Sequence, residues 1–319
     1  MNAISTPAPT RKRIVLAEPR GFCAGVRRAI GMVERALEIH GAPVYVRKQI
    51  IHNQYVVNGL ARRGAVFVDS EEDVPEGAVC VFSAHGVSPE VRAKSAARRL
   101  DVIDATCPLV SKVHQEAKRF AATGHTILLI GHARHEEVEG TVGEAPERII
   151  VVETVDDARA LELEDGASVS YLTQTTLSLD ETREITEELV RRFPRITGPG
   201  TDDICYASQN RQNAVKALAA RSQLVLVVGS DNSSNSVRMV EVAIRHGARS
   251  HLVDDVSKLD ESWLSDVDSV GVTAGASAPE ILVEELVARL GELGYGRIDT
   301  LTTVTEDIVF TLPGSLSAP

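Results

Sequence analysis

Short apolar runs alternate along the chain with polar loops and with stretches in which apolar residues recur every three or four positions. The apolar runs have the length of buried strands, and the longer stretches have the spacing of amphipathic helices. This alternation predicts an α/β protein with parallel sheets and with functional residues at the carboxyl ends of the strands. The predicted strands are Ile14–Ala17, Val44–Val46, Val79–Phe82, Thr126–Ile130, Val169–Leu172, Leu224–Val228 and Ser269–Val272.

The same series of features occurs three times along the chain. Cys23, Cys107 and Cys205 each open a helical pattern, and a polar junction between a strand and a helix follows about 28 residues later. A further junction of the same kind comes after it in each case. We infer three copies of one α/β unit of roughly 90–100 residues.

The predicted units have defined boundaries. They cover residues 14–102, 103–200 and 201–298, and the segment 299–313 is expected to complete the first of them. Residues 1–13 and 314–319 are predicted to be disordered tails. Arranged as a cloverleaf around a pseudo-threefold axis, the units would bring the three cysteines to one point and surround them with polar loops.

Composition, net charge and the length of the apolar runs disfavour several classes of protein. Hydrophobic residues make up 43% of the 319 residues and charged residues 25%, a globular balance. The net charge of −11 disfavours nucleic-acid binding, since no positive field attracts a phosphate backbone. No apolar run approaches the ~20 residues that cross a bilayer, and the N-terminus has no apolar signal segment. We expect a soluble cytoplasmic protein.

The three cysteines at matched repeat positions suit a metal centre rather than a disulfide framework. They lie 84 and 98 residues apart, which disfavours zinc fingers and thioredoxin-type pairs. Each precedes a predicted helix, where the positive end of the dipole stabilises a thiolate. Three thiolates suit either a [4Fe-4S] cluster with one open iron or a zinc ion with a water ligand. Cys80 lies among apolar residues in a strand and is interpreted as a core residue.

Polar residues at the other junctions suggest an anion site. His52, His85 and His135 each follow a predicted strand. Imidazoles, hydroxyls, amides and helix N-termini together suit a compact anion such as a diphosphate. No phosphate-binding GxxxxGK[ST] motif is present. The hydroxyl and amide residues expected to join the histidines are Ser233, Ser234, Asn235 and Ser277.

One acidic residue is a candidate proton donor. Glu137 lies two residues after His135, where a partly buried carboxylic acid beside an imidazole can deliver a proton. Its neighbours Glu136 and Glu139 fit a solvated helix start better. Thr175 is a candidate for holding a substrate hydroxyl or relaying a proton, although a helix cap is the commoner role of such a threonine.

These segments resemble those of the 4-hydroxy-3-methylbut-2-enyl diphosphate reductases, the IspH/LytB family. The resemblance runs from residue 14 to about residue 310 and rests on segments in family order. They read PRGFCAGVRRAI, IIHN, SAHGVSP, DATCPLV, HEEVEGT, TQTTLS, DDICYA, SSNS and AGAS. One departure is visible: the family loop reads HPEVEG, and this chain has Glu136 in place of the proline.

The resemblance implies a role for each candidate residue. Cys23, Cys107 and Cys205 would hold a [4Fe-4S] cluster at the centre of a three-unit cloverleaf. Glu137 would be the proton donor, and Thr175 would lie near the substrate hydroxyl. The residues implied to bind the substrate, mostly through its diphosphate, are His52, His85, His135, Ser233, Ser234, Asn235 and Ser277.

The implied reaction is a reductive dehydroxylation, the last step of the non-mevalonate isoprenoid pathway. An open iron acts as Lewis acid on the allylic hydroxyl, two electrons enter one at a time, and the products are isopentenyl and dimethylallyl diphosphates. A ferredoxin or flavodoxin is expected as electron donor, because no flavin or nicotinamide motif is present. Two alternatives remain, an iron–sulfur hydratase that uses the iron only as Lewis acid and a non-enzymatic iron–sulfur carrier or sensor.

Overall fold

The structure is a computed structural model that describes residues 12–164 and 166–316. It has the predicted α/β architecture, and every strand pair in the described ranges is parallel. The strands are β1 Arg13–Glu18, β2 Val44–Arg47, β3 Ala65–Val68, β4 Val79–Phe82, β5 Asp101–Asp104, β6 Thr126–Ile130, β7 Ile149–Val152, β8 Val169–Thr173, β9 Leu224–Val228, β10 Arg249–Val253, β11 Ser269–Ala274 and β12 Arg297–Thr302. The helices are α1 Ala24–His40, α2 Gln54–Arg62, α3 Pro89–Ala97, α4 Pro108–Ala122, α5 Glu136–Glu144, α6 Val155–Ala160, α7 Leu179–Arg192, α8 Tyr206–Ala219, α9 Ser234–Arg245 and α10 Glu280–Glu292.

The chain divides into two compact units. Compact unit 1 comprises residues 1–22 and 210–307, and compact unit 2 comprises residues 23–209 and 308–319. Each unit has parallel sheet structure of its own.

Compact unit 1 contains one five-stranded sheet in the order β10-β9-β11-β1-β12. Successive residues of its strands point to opposite faces, so Leu224 and Leu226 join one apolar core while Val225 and Val227 join another. Residues of α10 pack in the first core, and residues of α8 and α9 pack in the second. The sheet is therefore covered on both faces, as parallel sheets require.

Compact unit 2 contains a four-stranded sheet in the order β3-β2-β4-β5 and a three-stranded sheet in the order β7-β6-β8. In the smaller sheet, Ile127 and Leu129 face a core with α4, whereas Leu128 and Ile130 face a core with α7. Its helices thus cover both faces. The larger sheet packs Cys80 and Phe82 of β4 with Val87 and Leu100.

The same three-strand order occurs in all three sheets: β3-β2-β4, β7-β6-β8 and β10-β9-β11. We call each of these sets of three strands a trio. In each sheet, the segment of chain that leads to one of the three cysteines lies next to the last strand of the trio. Strand β1 leads to Cys23 beside β11, β5 leads to Cys107 beside β4, and a single bridge joins residue 197, ahead of Cys205, to residue 170 in β8. The segment before each cysteine is thus placed next to the third strand of a trio.

The strand pairing differs in part from the chain order of the predicted units. The strand at residues 14–17 does not join the sheet of β2 and β4, because β1 pairs with β11 and β12. Residues 299–302 lie in β12 of that same five-stranded sheet, so they do not complete the sheet of residues 44–104. Strand β5 also crosses the boundary drawn at residue 102. The three predicted bodies and their cloverleaf arrangement stay a prediction.

The chain ends differ from the expected tails where they are described. Arg13 already belongs to β1, and Gly314–Leu316 form a short 3-10 helix. Leu316 is buried, and its carbonyl accepts a hydrogen bond from Arg35. The rest of the predicted tails, residues 1–11 and 317–319, lies outside the described residues. Among the helices that are described, none combines the length and the apolar character needed to span a membrane.

Candidate functional site

The three candidate ligand cysteines all belong to compact unit 2, and each lies at the start of a helix. Cys23 is the N-cap of α1, and its Sγ accepts the backbone N–H of Val26 at 3.5 Å. Cys107 is the N-cap of α4. Cys205 directly precedes α8, and its Sγ accepts the backbone N–H of Ser208 at 3.3 Å. All three sulfurs therefore lie at the positive end of a helix dipole.

Gly25 allows two of these sulfurs to approach each other. A Cβ atom at this position would lie 2.8 Å from Sγ of Cys107 and 3.8 Å from Sγ of Cys23. The first distance is shorter than a real contact of this kind, so no larger residue fits without moving Cys107. We did not single out Gly25 from the sequence as a site residue. The available signal was a glycine two residues after a cysteine that opens a helix.

The charges of the three sulfurs act on one another. Burial and, to a smaller extent, the nearby Cys23 and Cys205 raise the pKa of the Cys107 thiol to about 12. Such clustered thiols are suited to sharing a soft cation, which stabilises their charged forms together. Cys80 is fully buried in β4 within an apolar core, as predicted, and burial raises its pKa to about 11.

Glu137 and Thr175 form a buried pair. The Glu137 side chain accepts the backbone N–H of Thr175 at 2.7 Å and its hydroxyl at 3.0 Å. Only 2% of Glu137 and 4% of Thr175 is exposed. Burial raises the pKa of Glu137 to about 7, although both bonds from Thr175 lower it. The carbonyl of Thr175 accepts the backbone N–H of Cys205 at 3.0 Å, which connects the acid to a ligand candidate.

Three histidines meet at the carboxyl ends of β2, β4 and β6. The rings of His52 and His85 stack with centroids 4.0 Å apart, and His135 stands edge-on to them at 5.4 and 5.8 Å. Burial lowers the pKa of His52, and it lowers that of His135 to about 3. Both rings are therefore neutral near pH 7, and they offer N–H donors rather than the positive charge that protonated histidines would bring.

Glu136 corrects the expectation of a solvated side chain. Its carboxylate lies 3.2 Å from Nδ1 of His85 and 3.8 Å from Nε2 of His52, and its side chain is only 21% exposed. These two histidines hold the pKa of Glu136 below the usual range despite the opposing effect of burial. Glu139, three residues later on α5, is exposed as expected. The sequence of α5 alone did not predict the contact of Glu136 with the two histidines, because both histidines come from distant segments of the chain.

A second buried carboxylate positions the segment before Cys205. Lys112 of α4 donates to Asp203 at 3.1 Å and to the backbone carbonyls of residues 201 and 202. The other Asp203 oxygen accepts the backbone N–H of Thr173 at 3.0 Å. These bonds tie the segment before Cys205 to the helix that starts after Cys107. Neither residue was selected from the sequence, where an isolated Lys and an Asp pair carry no motif.

In compact unit 1, the predicted serine and asparagine residues converge at the ends of β9 and β11. The hydroxyls of Ser233 and Ser277 lie 3.2 Å apart, and Asn235 accepts the backbone N–H of Ala276 at 2.8 Å. Ser233 caps α9, and Ser234 is its first residue. The structure thus brings these four predicted residues, from two separate loops, to one cluster of small polar groups.

The chain is similar to proteins of known function. A family model described as LytB protein matches residues 14–291. The 4-hydroxy-3-methylbut-2-enyl diphosphate reductase 1 of Mycobacterium bovis is 58% identical, over 98% of this chain and 93% of the relative. The corresponding reductase of Nocardia farcinica is also 58% identical, over 97% of this chain and 92% of the relative.

Solved structures give the same result. The E-1-hydroxy-2-methyl-but-2-enyl-4-diphosphate reductase of Plasmodium falciparum matches with a TM-score of 0.93 at 37% identity, covering 96% of this chain and 97% of that one. A second structure, of an (E)-4-hydroxy-3-methyl-but-2-enyl diphosphate reductase, matches with a TM-score of 0.63 at 32% identity. It covers 88% of this chain and 99% of its own.

Proposed function

The chain belongs to the LytB protein family, and we propose that it is an oxidoreductase that removes the hydroxyl group of 4-hydroxy-3-methylbut-2-enyl diphosphate. The substrate takes up two electrons and two protons, the C–O bond breaks, and water leaves. The products are isopentenyl and dimethylallyl diphosphates. This reaction is the last step of the non-mevalonate pathway, and one of the solved relatives is described as the terminal enzyme of that pathway.

A [4Fe-4S] cluster is the cofactor that the cysteines fit. Cys23, Cys107 and Cys205 supply three soft thiolates at helix N-termini, and Gly25 leaves room beside two of the sulfurs. When bound, such a cluster supplies electrons one at a time and an iron without a cysteine ligand that acts as a Lewis acid. Zinc with a water ligand fits the same three thiolates but has no redox chemistry.

Glu137 is the proton donor in this proposal. A carboxyl group whose pKa lies at about 7 keeps its proton for much of the time at neutral pH, and it releases the proton to a departing hydroxyl more readily than a more basic group would. Thr175 holds both carboxyl oxygens and bonds to the backbone of Cys205. It therefore orients the acid relative to a cluster ligand.

Histidines and small polar residues bind the diphosphate. The rings of His52, His85 and His135 lie together and present ring nitrogens to a bound anion. A bound anion would raise the lowered pKa values of His52 and His135 and strengthen these bonds. The convergent cluster of compact unit 1 supports the prediction that its hydroxyl and amide groups also bind substrate oxygens. Its members are Ser233, Ser234, Asn235 and Ser277.

The observation that carries the proposal is the link from Glu137 through Thr175 to Cys205. It couples a carboxyl group that titrates near neutrality to a redox ligand, as a proton-coupled reduction requires. A hydratase would use the same cluster without an electron donor, and a carrier or sensor would not need the acid.

The test is anaerobic turnover of the diphosphate with and without a chemical reductant. We expect an enzyme with about four irons and four sulfides per chain that forms both products only when a reductant is present. Turnover without a reductant would support the hydratase, and absence of both turnover and diphosphate binding would support a carrier. A ferredoxin or flavodoxin remains the predicted physiological donor, and a cytoplasmic location remains the predicted one.

A further inference from the structure

His52, His85 and Glu136 form a set of three possible metal ligands. The proposed reaction uses the two histidines to bind the diphosphate but gives Glu136 no role. Nδ1 of His85 lies 3.2 Å from one carboxylate oxygen, and Nε2 of His52 lies 3.8 Å from the other. One ligand atom from each of the three residues falls within 4.8 Å of the others. Two ligands of a tetrahedral zinc ion lie about 3.3 Å apart, given bond lengths of about 2.0–2.1 Å. Closing the set on one ion requires shifts of about 1–2 Å and a rotation of one histidine side chain, because the two rings are now stacked and a metal lies in the plane of each imidazole that binds it.

The donor chemistry suits a borderline-soft divalent ion. Two imidazoles and one carboxylate are ligands that zinc, iron(II), cobalt and nickel accept, whereas magnesium and calcium prefer oxygen. Burial lowers the pKa of His52, and the two histidines lower that of Glu136, which favours the metal-binding forms of these two groups. Where a neutral histidine ring donates its N–H to the carboxylate, that nitrogen must lose its proton to bind the metal. The proton moves to the other ring nitrogen, so metal binding requires no net proton release.

The site depends on Glu136, which supplies its only carboxylate. Proline has no ligand atom. Glu136 is the first residue of α5 and follows its N-cap, His135. Proline is well tolerated there, because the first backbone N–H groups of a helix have no partner within it. A change to proline therefore removes the carboxylate while preserving the helix start.

We propose that His52, His85 and Glu136 form a binding site for a divalent transition-metal ion of the zinc type, and that this ion and the substrate diphosphate exclude each other. The exclusion rests on the proposed function, since both ligands would use the same two imidazoles. Metal binding itself does not rest on it. The metal acts as an inhibitor whose effect requires Glu136.

The test titrates the cluster-loaded protein with zinc chloride by anaerobic calorimetry. We expect one site per chain in the wild type and at least about tenfold weaker binding in Glu136→Pro and Glu136→Gln. Glu139→Gln is the matched control, because Glu139 lies on the same helix but is exposed, and it should bind zinc like the wild type. The visible absorbance of the cluster is recorded in parallel.

X-ray absorption at the zinc edge identifies the ligands. Nitrogen and oxygen neighbours at about 2.0–2.1 Å support the proposed site, while sulfur at about 2.3 Å places the zinc on the cysteines. In turnover assays, zinc should raise the KM for the diphosphate in the wild type and have much less effect in Glu136→Pro. The substrate also chelates zinc in solution. This effect is the same in the assays of both proteins, so it does not affect the comparison of their KM values.

Three results would overturn the inference. These are equal zinc affinity in the wild type and Glu136→Pro, sulfur in the zinc shell together with loss of cluster absorbance, and zinc binding that the diphosphate strengthens. The first two reject the site, and the third rejects the exclusion. Failure of the proposed function would instead appear as absence of reductant-dependent turnover in zinc-free enzyme, which leaves the calorimetric comparison interpretable.

Discussion

Replacing Glu137 by Gln removes an acidic proton and leaves the shape of the side chain intact. The Gln oxygen can still accept the backbone N–H of Thr175, now at 2.7 Å from the carboxylate. The Thr175 hydroxyl, which now donates at 3.0 Å, can rotate to accept from the new amide. We expect a folded protein with an intact cluster and a kcat lower by about 10²–10⁴-fold.

The pH dependence of turnover should report the same group. Burial puts the pKa of Glu137 at about 7, so the protonated fraction falls as the pH rises through neutrality. The wild-type rate should fall along with it, and the residual rate of Glu137→Gln should lack this decrease. The ratio of the two rates at each pH removes the pH dependence of the electron donor, and the exposed Glu139→Gln is the control.

The pH dependence of stability is a second test of the raised pKa of Glu137. Raising a pKa from 4.5 to about 7 corresponds to roughly 3 kcal/mol, the cost of ionising Glu137 in the folded protein. Below pH 4.5 the group is protonated in both the folded and the unfolded state, and nothing is lost. As the pH rises to about 7 the unfolded state ionises first, so the wild type loses this stability, and above about 7 the loss is constant. Glu137→Gln should therefore gain in thermal unfolding midpoint over the wild type between about pH 5 and about pH 8. A constant difference in midpoint, together with wild-type turnover of the variant, would refute the assignment.

Three further outcomes follow from the geometry. Cys107→Ser should bleach the visible absorbance of the anaerobically purified protein, whereas Cys80→Ser should not, and the opposite pattern would reject the ligand assignment. Gly25→Ala should lower the iron content because its Cβ would lie 2.8 Å from Sγ of Cys107, while Gly31→Ala on the same helix, with its nearest contact at 3.7 Å, should retain iron. Equal iron in the two variants would contradict this. Ser277→Ala should raise the substrate KM about ten- to a hundredfold with unchanged cluster absorbance, and an unchanged KM would place its hydroxyl outside the anion site.

Local patterns carried most of the secondary structure. The seven predicted strands all exist, because a run of β-branched and aliphatic residues bounded by polar turns specifies a buried strand over a few positions. The strands β3, β5, β7, β10 and β12 were not in the predicted set. Two of them, β5 and β12, are largely exposed and polar, so their sequences lack that signal. Their strand conformation comes from hydrogen bonds to a neighbouring strand.

Strand pairing required the tertiary structure. Chain order suggested that β1 belongs with the residues that follow it, yet β1 lies between β11 and β12, more than 250 residues away. An apolar strand such as β1 can satisfy its backbone groups beside many partners, and its own sequence does not select among them. The repeat of strand order in the three sheets emerges only when these pairs are known.

The sequence by itself selected the candidate side chains of the site. Cysteines, histidines, Glu137 and Thr175 follow strands and open helices, and in parallel α/β chains such positions share the carboxyl edges of the sheets. The tertiary structure decided which of them touch. Glu136 reads as a solvated helix residue until His52 and His85 approach it from other segments, and Gly25 reads as an ordinary helical glycine until Cys107 packs against it. Burial, pKa and close contact depend on neighbours far along the chain, and local periodicity does not contain that information.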